Sequence, residues 1–175
     1  AFKKNLANRR RADGGETILE QSATADSQGN GRIERRIGII EGIIRTIKVS
    51  IERRYGIQLP VEHDIMAWIV KYAGDLLTHF KEGIDGQTAF HRLKGIPSKM
   101  KAVPFGETVL FQPLKTERMR SLDKTSDRFF DGIWLGVNNS NGATFVGTKD
   151  GVYESRSIRR KSDDLKHDVE VLDSM

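Results

Sequence analysis

Isoleucines that alternate three and four residues apart constrain the fold of this chain more than any other feature. Six of them recur at intervals of 4, 3, 4, 3 and 4: Ile33, Ile37, Ile40, Ile44, Ile47 and Ile51. Because an α-helix repeats every 3.6 residues, this spacing places all six on one helical face. The helix is predicted to end near Gly56, and Pro60 prevents its continuation.

Shorter elements are predicted downstream of this helix. A second helix is expected over residues 64–80 and a third over 88–93. Four strand-like segments then follow: 107–112, 129–137, 143–147 and 152–158. The pairs Asn141–Gly142 and Asp150–Gly151 suit the positive φ angles of two-residue hairpins. Four short strands joined in this way indicate a small barrel or sandwich, and the overall fold class is therefore α+β.

Composition narrows the classes of function. The 175 residues carry a net charge of +5, which favours a polyanionic partner such as nucleic acid. The absence of cysteine excludes disulfides, cysteine-ligated zinc and thiol catalysis, and the four histidines lack metal-ligand spacing. No apolar run reaches the length of about 20 residues that spans a bilayer, so we expect an intracellular protein without a membrane partner. The chain opens at Ala1 without an initiator methionine and is interpreted as a piece of a longer polypeptide.

Glu34 stands where a polar loop, ADSQGNGR, meets the long helix. A structural interpretation is a first-turn carboxylate that interacts with the helix dipole while Asn30 caps the helix. A functional interpretation comes from the pattern Asn30, Gly31, Glu34 and Arg35. It resembles the Asn-Gly-x-x-Glu-Arg motif that closes the catalytic core of integrases from copia-type long-terminal-repeat retrotransposons.

The resemblance extends over about residues 16–160 and keeps the order of the family's segments. DGQTAFHRLKGIP is similar to a stretch late in the core, and PFGETVLF with FFDGIWLGV is similar to the small barrel that follows it. This implies the C-terminal helical part of a ribonuclease-H-like α/β core, followed by an all-β Src-homology-three-like barrel. The implied divisions are core 1–95, linker 96–104 and barrel 105–160. The tail 161–175 is highly charged, and we expect it to fray.

The resemblance implies DNA integration by metal-dependent phosphoryl transfer, covering 3′-end processing and strand transfer. Glu34 would be the last carboxylate of an Asp-Asp-Glu triad that holds Mg²⁺ or Mn²⁺. Both aspartates precede residue 1 in the family pattern, so we expect this chain alone to be inactive. The parent element would act on DNA in the nucleus, and we expect the chain to form homo-oligomers.

Basic side chains are the predicted contacts to element ends and target DNA. One set lies on or near the long helix: Arg32, Arg35, Arg36, Arg45 and Lys48. A second set, Arg156, Arg159 and Arg160, lies at the end of the last strand and would bind phosphate by charge. Solvated helix charges, or arginines that keep an edge strand from pairing, are the structural alternatives.

The isoleucine repeat also fits a different class of protein. Heptad-like spacing is typical of a coiled coil, so the chain would then be a non-catalytic basic interaction module whose barrel binds nucleic acid or protein. A basic-helix regulator with a barrel effector domain explains the charge but leaves the QGNGRIER motif without a role.

Overall fold

The computed structural model describes residues 10–11, 27–100, 104–114 and 128–175. The chain divides between Ile39 and Ile40 into two units. Helix α1 (Ser27–Tyr55) has residues in both units, and the other helices and strands described below belong to the second. Within the described residues, no helix combines the length and the apolar character needed to cross a membrane.

The helices end where the sequence provides stop signals. Helix α1 stops at Tyr55, and Gly56 follows with a φ of 68°. Helix α2 (Ile65–Phe80) buries one apolar stripe. Helix α3 (Ala89–Lys94) is capped by Thr88, whose side chain accepts a hydrogen bond from the backbone amide of His91 at 3.1 Å. The two shorter helices predicted from the sequence are confirmed to within about one residue at each end.

Four antiparallel strands form a closed barrel. They are β1 (Thr108–Pro113), β2 (Phe130–Val137), β3 (Thr144–Thr148) and β4 (Gly151–Arg160). Neighbouring strands pair in chain order, and β4 pairs with β1 to close the ring. The prediction of a small four-stranded β-structure is therefore confirmed as a barrel. The ribonuclease-H-like assignment and the domain boundaries at 95, 104 and 160 stay predictions.

The barrel shares one hydrophobic core with α2, the last helix and the C-terminal part of α1. Trp134 and Phe111 are buried inside the barrel region, and Ile51 and Ile69 are buried on the helices beside it. Ile44 and Ile47 are partly buried against the same core. The isoleucine face of α1 is thus covered towards its C-terminal end.

The final segment is ordered rather than frayed, so the expectation of a fraying tail is wrong. Helix α4 (Val169–Asp173) is capped by Asp168, whose carboxylate accepts a hydrogen bond from the backbone amide of Glu170 at 3.0 Å. The hydroxyl of Thr108 accepts the backbone amide of Asp168 at 3.1 Å. Leu172 is fully buried and α4 packs against β2. The segment is rich in charged residues, yet one side of its short helix is apolar and completes the barrel core.

Leu172→Ala tests this packing. We expect it to lower the free energy of unfolding by about 2–5 kcal/mol, because it leaves a cavity where a side chain with 0% exposure was. Leu165→Ala is the matched control, because Leu165 is 55% exposed in the same segment and should change stability by less than about 0.5 kcal/mol. Denaturant unfolding measures both, and equal losses would contradict the docked helix.

Candidate functional site

Glu34 lies inside α1 rather than at its start. The helix begins at Ser27, within the segment predicted to be a loop, and its first turn contains no acidic residue. The interpretation of Glu34 as a first-turn carboxylate is therefore wrong, as is that of Asn30 as the cap. Propagation adds one hydrogen bond per residue, so the isoleucine-rich segment carries the helix upstream through Gly31. The side chain of Glu34 is exposed, and those of Asn30 and Arg32 lie outside the described part of the chain.

The predicted metal ligand stands alone in this part of the molecule. Across the described ranges, no group of three or more histidine, aspartate or glutamate side chains is arranged to hold a metal ion. One exposed carboxylate does not fit a divalent ion by itself, because such ions need several oxygen ligands. The Mg²⁺ or Mn²⁺ prediction for Glu34 thus depends on ligands that the described residues do not supply.

The basic residues of α1 differ in their surroundings. Arg35 and Arg36, in the first unit, are exposed, and so is Arg45 in the second. Lys48 forms an ion pair with Glu52 one turn later, and this hydrogen bond lowers the pKa of Glu52. Lys48 is therefore partly neutralised, whereas the charge of Arg45 faces solvent.

The three arginines of β4 have different surroundings. Arg160 donates two hydrogen bonds of 2.8 Å to the carboxylate of Glu107, which is 1% exposed. These bonds raise the pKa of Arg160. The guanidinium of Arg159 lies over the ring of Phe129, 4.4 Å from its centroid. Arg156 is exposed.

The register of β4 bears on the edge-protection alternative for these arginines. Strand β4 pairs with β3 over residues 151–155 and with β1 over residues 155–160. All three arginines lie outside the part that pairs with β3, so this alternative stays a prediction for Arg156 and Arg159. Arg160 compensates a buried carboxylate, a contact that no local pattern in the sequence indicates.

Arg54 is a partly buried cation, which the sequence alone does not distinguish from a surface charge. Its guanidinium donates to the backbone carbonyl of Phe105 at 2.9 Å, and its Nε donates to that of Ser50 at 3.0 Å. Burial lowers its pKa. The neighbouring Tyr55 hydroxyl donates to the carbonyl of Gly106 at 2.5 Å, and burial raises the pKa of this phenol. Both residues join the end of α1 to the turn before β1.

A chain of polar contacts centred on His79 connects α2 to the β2–β3 loop. His79 Nδ1 lies 2.7 Å from the hydroxyl of Ser98, and its Nε2 lies 3.1 Å from Oδ1 of Asn139. The amide nitrogen of Asn139 donates to Asp75 at 2.8 Å, and the ammonium of Lys71 donates to the other Asp75 oxygen at 2.7 Å. His79 is 6% exposed.

The sequence assigned no role to these histidine contacts. Ser98 and Asn139 lie 19 and 60 residues from His79, so no short motif joins them. His79 and Ser98 border a cleft of about 410 Å³ that Phe90, Met100 and Val137 also line.

Comparison with known proteins adds no assignment. No protein-family model matches the chain, and no curated protein has a matching sequence.

Arg160→Gln tests the structural role of that arginine. It leaves the buried Glu107 carboxylate without its partner, so we expect a loss of about 1–3 kcal/mol in the free energy of unfolding. Arg156→Gln, on the same strand, is the control and should change stability by less than about 0.5 kcal/mol. The double variant with Glu107→Gln should recover part of the loss, since it removes the buried charge. Equal stability of the two single variants would contradict the assigned ion pair.

Proposed function

We propose that this chain is part of the integrase of a copia-type retroelement and that its barrel contributes to binding DNA. The observation that carries the proposal is the closed barrel of β1–β4, which follows a helical segment at the position expected from the resemblance.

The exposed arginines of the second unit supply the DNA contact in this proposal. Arg156 on β4 and Arg45 on α1 present their charge to solvent, and Arg159 is held by Phe129 at the barrel surface. Lys48 and Arg160 already pair with carboxylates, so each would have to exchange a partner to bind phosphate. Arg156 and Arg159 are consequently the best-placed phosphate contacts on the barrel, in a chain whose net charge is +5.

Glu34 provides one carboxylate of the catalytic centre in the proposed parent enzyme. The two aspartates of the family's triad belong to the strands that precede this segment. DNA joining then requires those aspartates together with Glu34, and this chain contributes only one of the three ligands. The proposal therefore assigns DNA binding to this chain and strand transfer to the longer protein.

The reading frame upstream of Ala1 tests the catalytic part of the proposal. Two in-frame aspartates, one at the end of a predicted strand and the other shortly before residue 1, would support Glu34 as the third ligand. An initiator methionine or a stop codon directly upstream would overturn this role and leave Glu34 as a solvent-exposed helix residue.

Salt-dependent DNA binding tests the barrel. The full chain should bind a fluorescein-labelled duplex with an affinity that falls as salt rises, measured by fluorescence anisotropy. Arg156→Gln/Arg159→Gln should reduce the slope of log K against log salt by about 2, one for each lost phosphate contact. Lys149→Gln/Lys94→Gln removes the same charge from other exposed positions and should leave the slope nearly unchanged.

Two outcomes contradict the barrel assignment. Equal effects of the two double variants would mean that net charge, not the β4 surface, attracts DNA. Absence of salt-dependent binding by the unaltered chain would exclude DNA contact by these residues altogether.

A second candidate function is self-association through α1. Ile33 and Ile37 are 61% and 49% exposed on the face that the repeat defines. An exposed pair of isoleucines on a helix is typical of an unfilled helix–helix interface. Sedimentation equilibrium tests this candidate. We expect the apparent mass of the chain to rise with protein concentration, and we expect Ile33→Glu/Ile37→Glu to lower it.

A further inference from the structure

The hydrogen bonds that connect Asp75, Asn139, His79 and Ser98 have defined donors and acceptors. The Asp75 carboxylate only accepts hydrogen bonds, so Asn139 must present its NH₂ group to Asp75 and its carbonyl oxygen to His79. The Nε2 of His79 must therefore carry the proton that this carbonyl accepts. In the neutral ring, Nδ1 is then the unprotonated nitrogen, and it accepts a hydrogen bond from the hydroxyl of Ser98 at 2.7 Å. Lys71 fixes the far end of the chain by its ion pair with Asp75.

The surroundings of these hydrogen bonds exclude much of the solvent from the imidazole of His79. His79 is buried, and Phe90 stacks on its ring with centroids 4.5 Å apart. Ser98 and His79 border the cleft of about 410 Å³, whose walls include Phe90, Met100 and Ile158. Clefts of this size hold small ligands. Apolar side chains form most of the wall, so the cleft suits a small apolar acyl group.

We propose that Ser98, His79 and Asn139 form an acyl-transfer site that hydrolyses small esters with an apolar acyl group. Ser98 is the nucleophile, His79 is the general base, and Asn139 is a positioning residue that holds the tautomer of His79. A nucleophile, a histidine and an orienting group within hydrogen-bond reach recur on unrelated folds as the machinery of acyl transfer. This activity is separate from DNA binding and does not rest on the proposed integrase.

The reaction balances with water as the co-reactant. The Ser98 oxygen bonds to the ester carbonyl carbon while His79 Nδ1 takes the hydroxyl proton. Collapse of the tetrahedral intermediate breaks the bond to the alcohol oxygen, which receives that proton from His79 and leaves as the alcohol. Water then attacks the acyl-serine with His79 again as base, and the carboxylic acid departs as Ser98 recovers its proton.

A purely structural role gives different expectations. The same contacts would then only tie α2 to the loop after β2 and to the segment after α3, and the hydroxyl of Ser98 would react no faster than another serine. Reactivity, rather than stability, is therefore the property that separates the two roles.

The first experiment measures the reactivity of the native hydroxyl. The full chain is incubated with a small alkyl fluorophosphonate, and intact mass with peptide mapping locates the adduct. We expect one adduct, on Ser98, and none in Ser98→Ala. Ser140→Ala, which removes an exposed serine beside Asn139, should keep the adduct. An unlabelled chain, or labelling spread over several serines, overturns the proposal.

The second experiment uses the absence of cysteine from the sequence. Ser98→Cys introduces a single thiol, and its rate of alkylation by iodoacetamide is measured between pH 5 and 9. Because His79 accepts the proton, we expect a thiol pKa below the ordinary value of about 8.5 and alkylation at pH 6.5 at least about tenfold faster than for Ser140→Cys. Adding Asn139→Ala should move the profile back towards the ordinary thiol. Identical profiles for the two single-cysteine variants overturn the proposal even if Ser98→Ala fails to fold.

Discussion

The second unit depends on an aromatic contact between α2 and the barrel. A ring of four short strands has too little interior to bury a complete core, so it needs a covering element. Tyr72 provides the cover: its ring stacks on Phe105 with centroids 5.0 Å apart and meets the edge of Trp134 at 5.5 Å. Gly136 of β2 lies beside this tyrosine, and its φ of 117° is a backbone conformation that favours glycine. The helices and barrel of this unit therefore fold around shared side chains.

Hydrogen-bonded and ion-paired polar groups surround this apolar contact. Glu107 is buried before β1 and compensated by Arg160 at the end of β4, while Arg54 reaches the carbonyl of Phe105 from α1. The His79 chain similarly connects α2 to two loops. Buried polar atoms cost free energy unless they are hydrogen-bonded, so these contacts restrict which arrangements of the helices and strands are acceptable. That restriction also fixes the tautomer on which the proposed acyl-transfer site depends.

Local features of the sequence predicted much of this fold, and long-range contacts did not follow from them. The strands were predictable because alternation is a property of adjacent residues. The two-residue hairpin predicted at Asn141–Gly142 is wrong, because Val137 pairs with Thr144 and six residues connect β2 to β3. The start of α1 was not, since its isoleucine-rich half extends the helix into a glycine-containing segment. The burial of Leu172 was hidden by charged neighbours. Glu34 could be proposed as a site residue because it belongs to a short sequence motif. Ser98 could not, because tertiary packing alone brings it to His79.

The docking of α4 has a consequence for synthesis of the protein. Leu172 fills space beside β2, and Met175 lies over Gly147, where a Cβ would come within 2.3 Å of its sulfur. A nascent chain that has emerged only as far as Arg160 has all four strands but lacks these side chains. The barrel can therefore pair its strands early during translation, yet it reaches its final packing only after the ribosome has released another dozen or so residues.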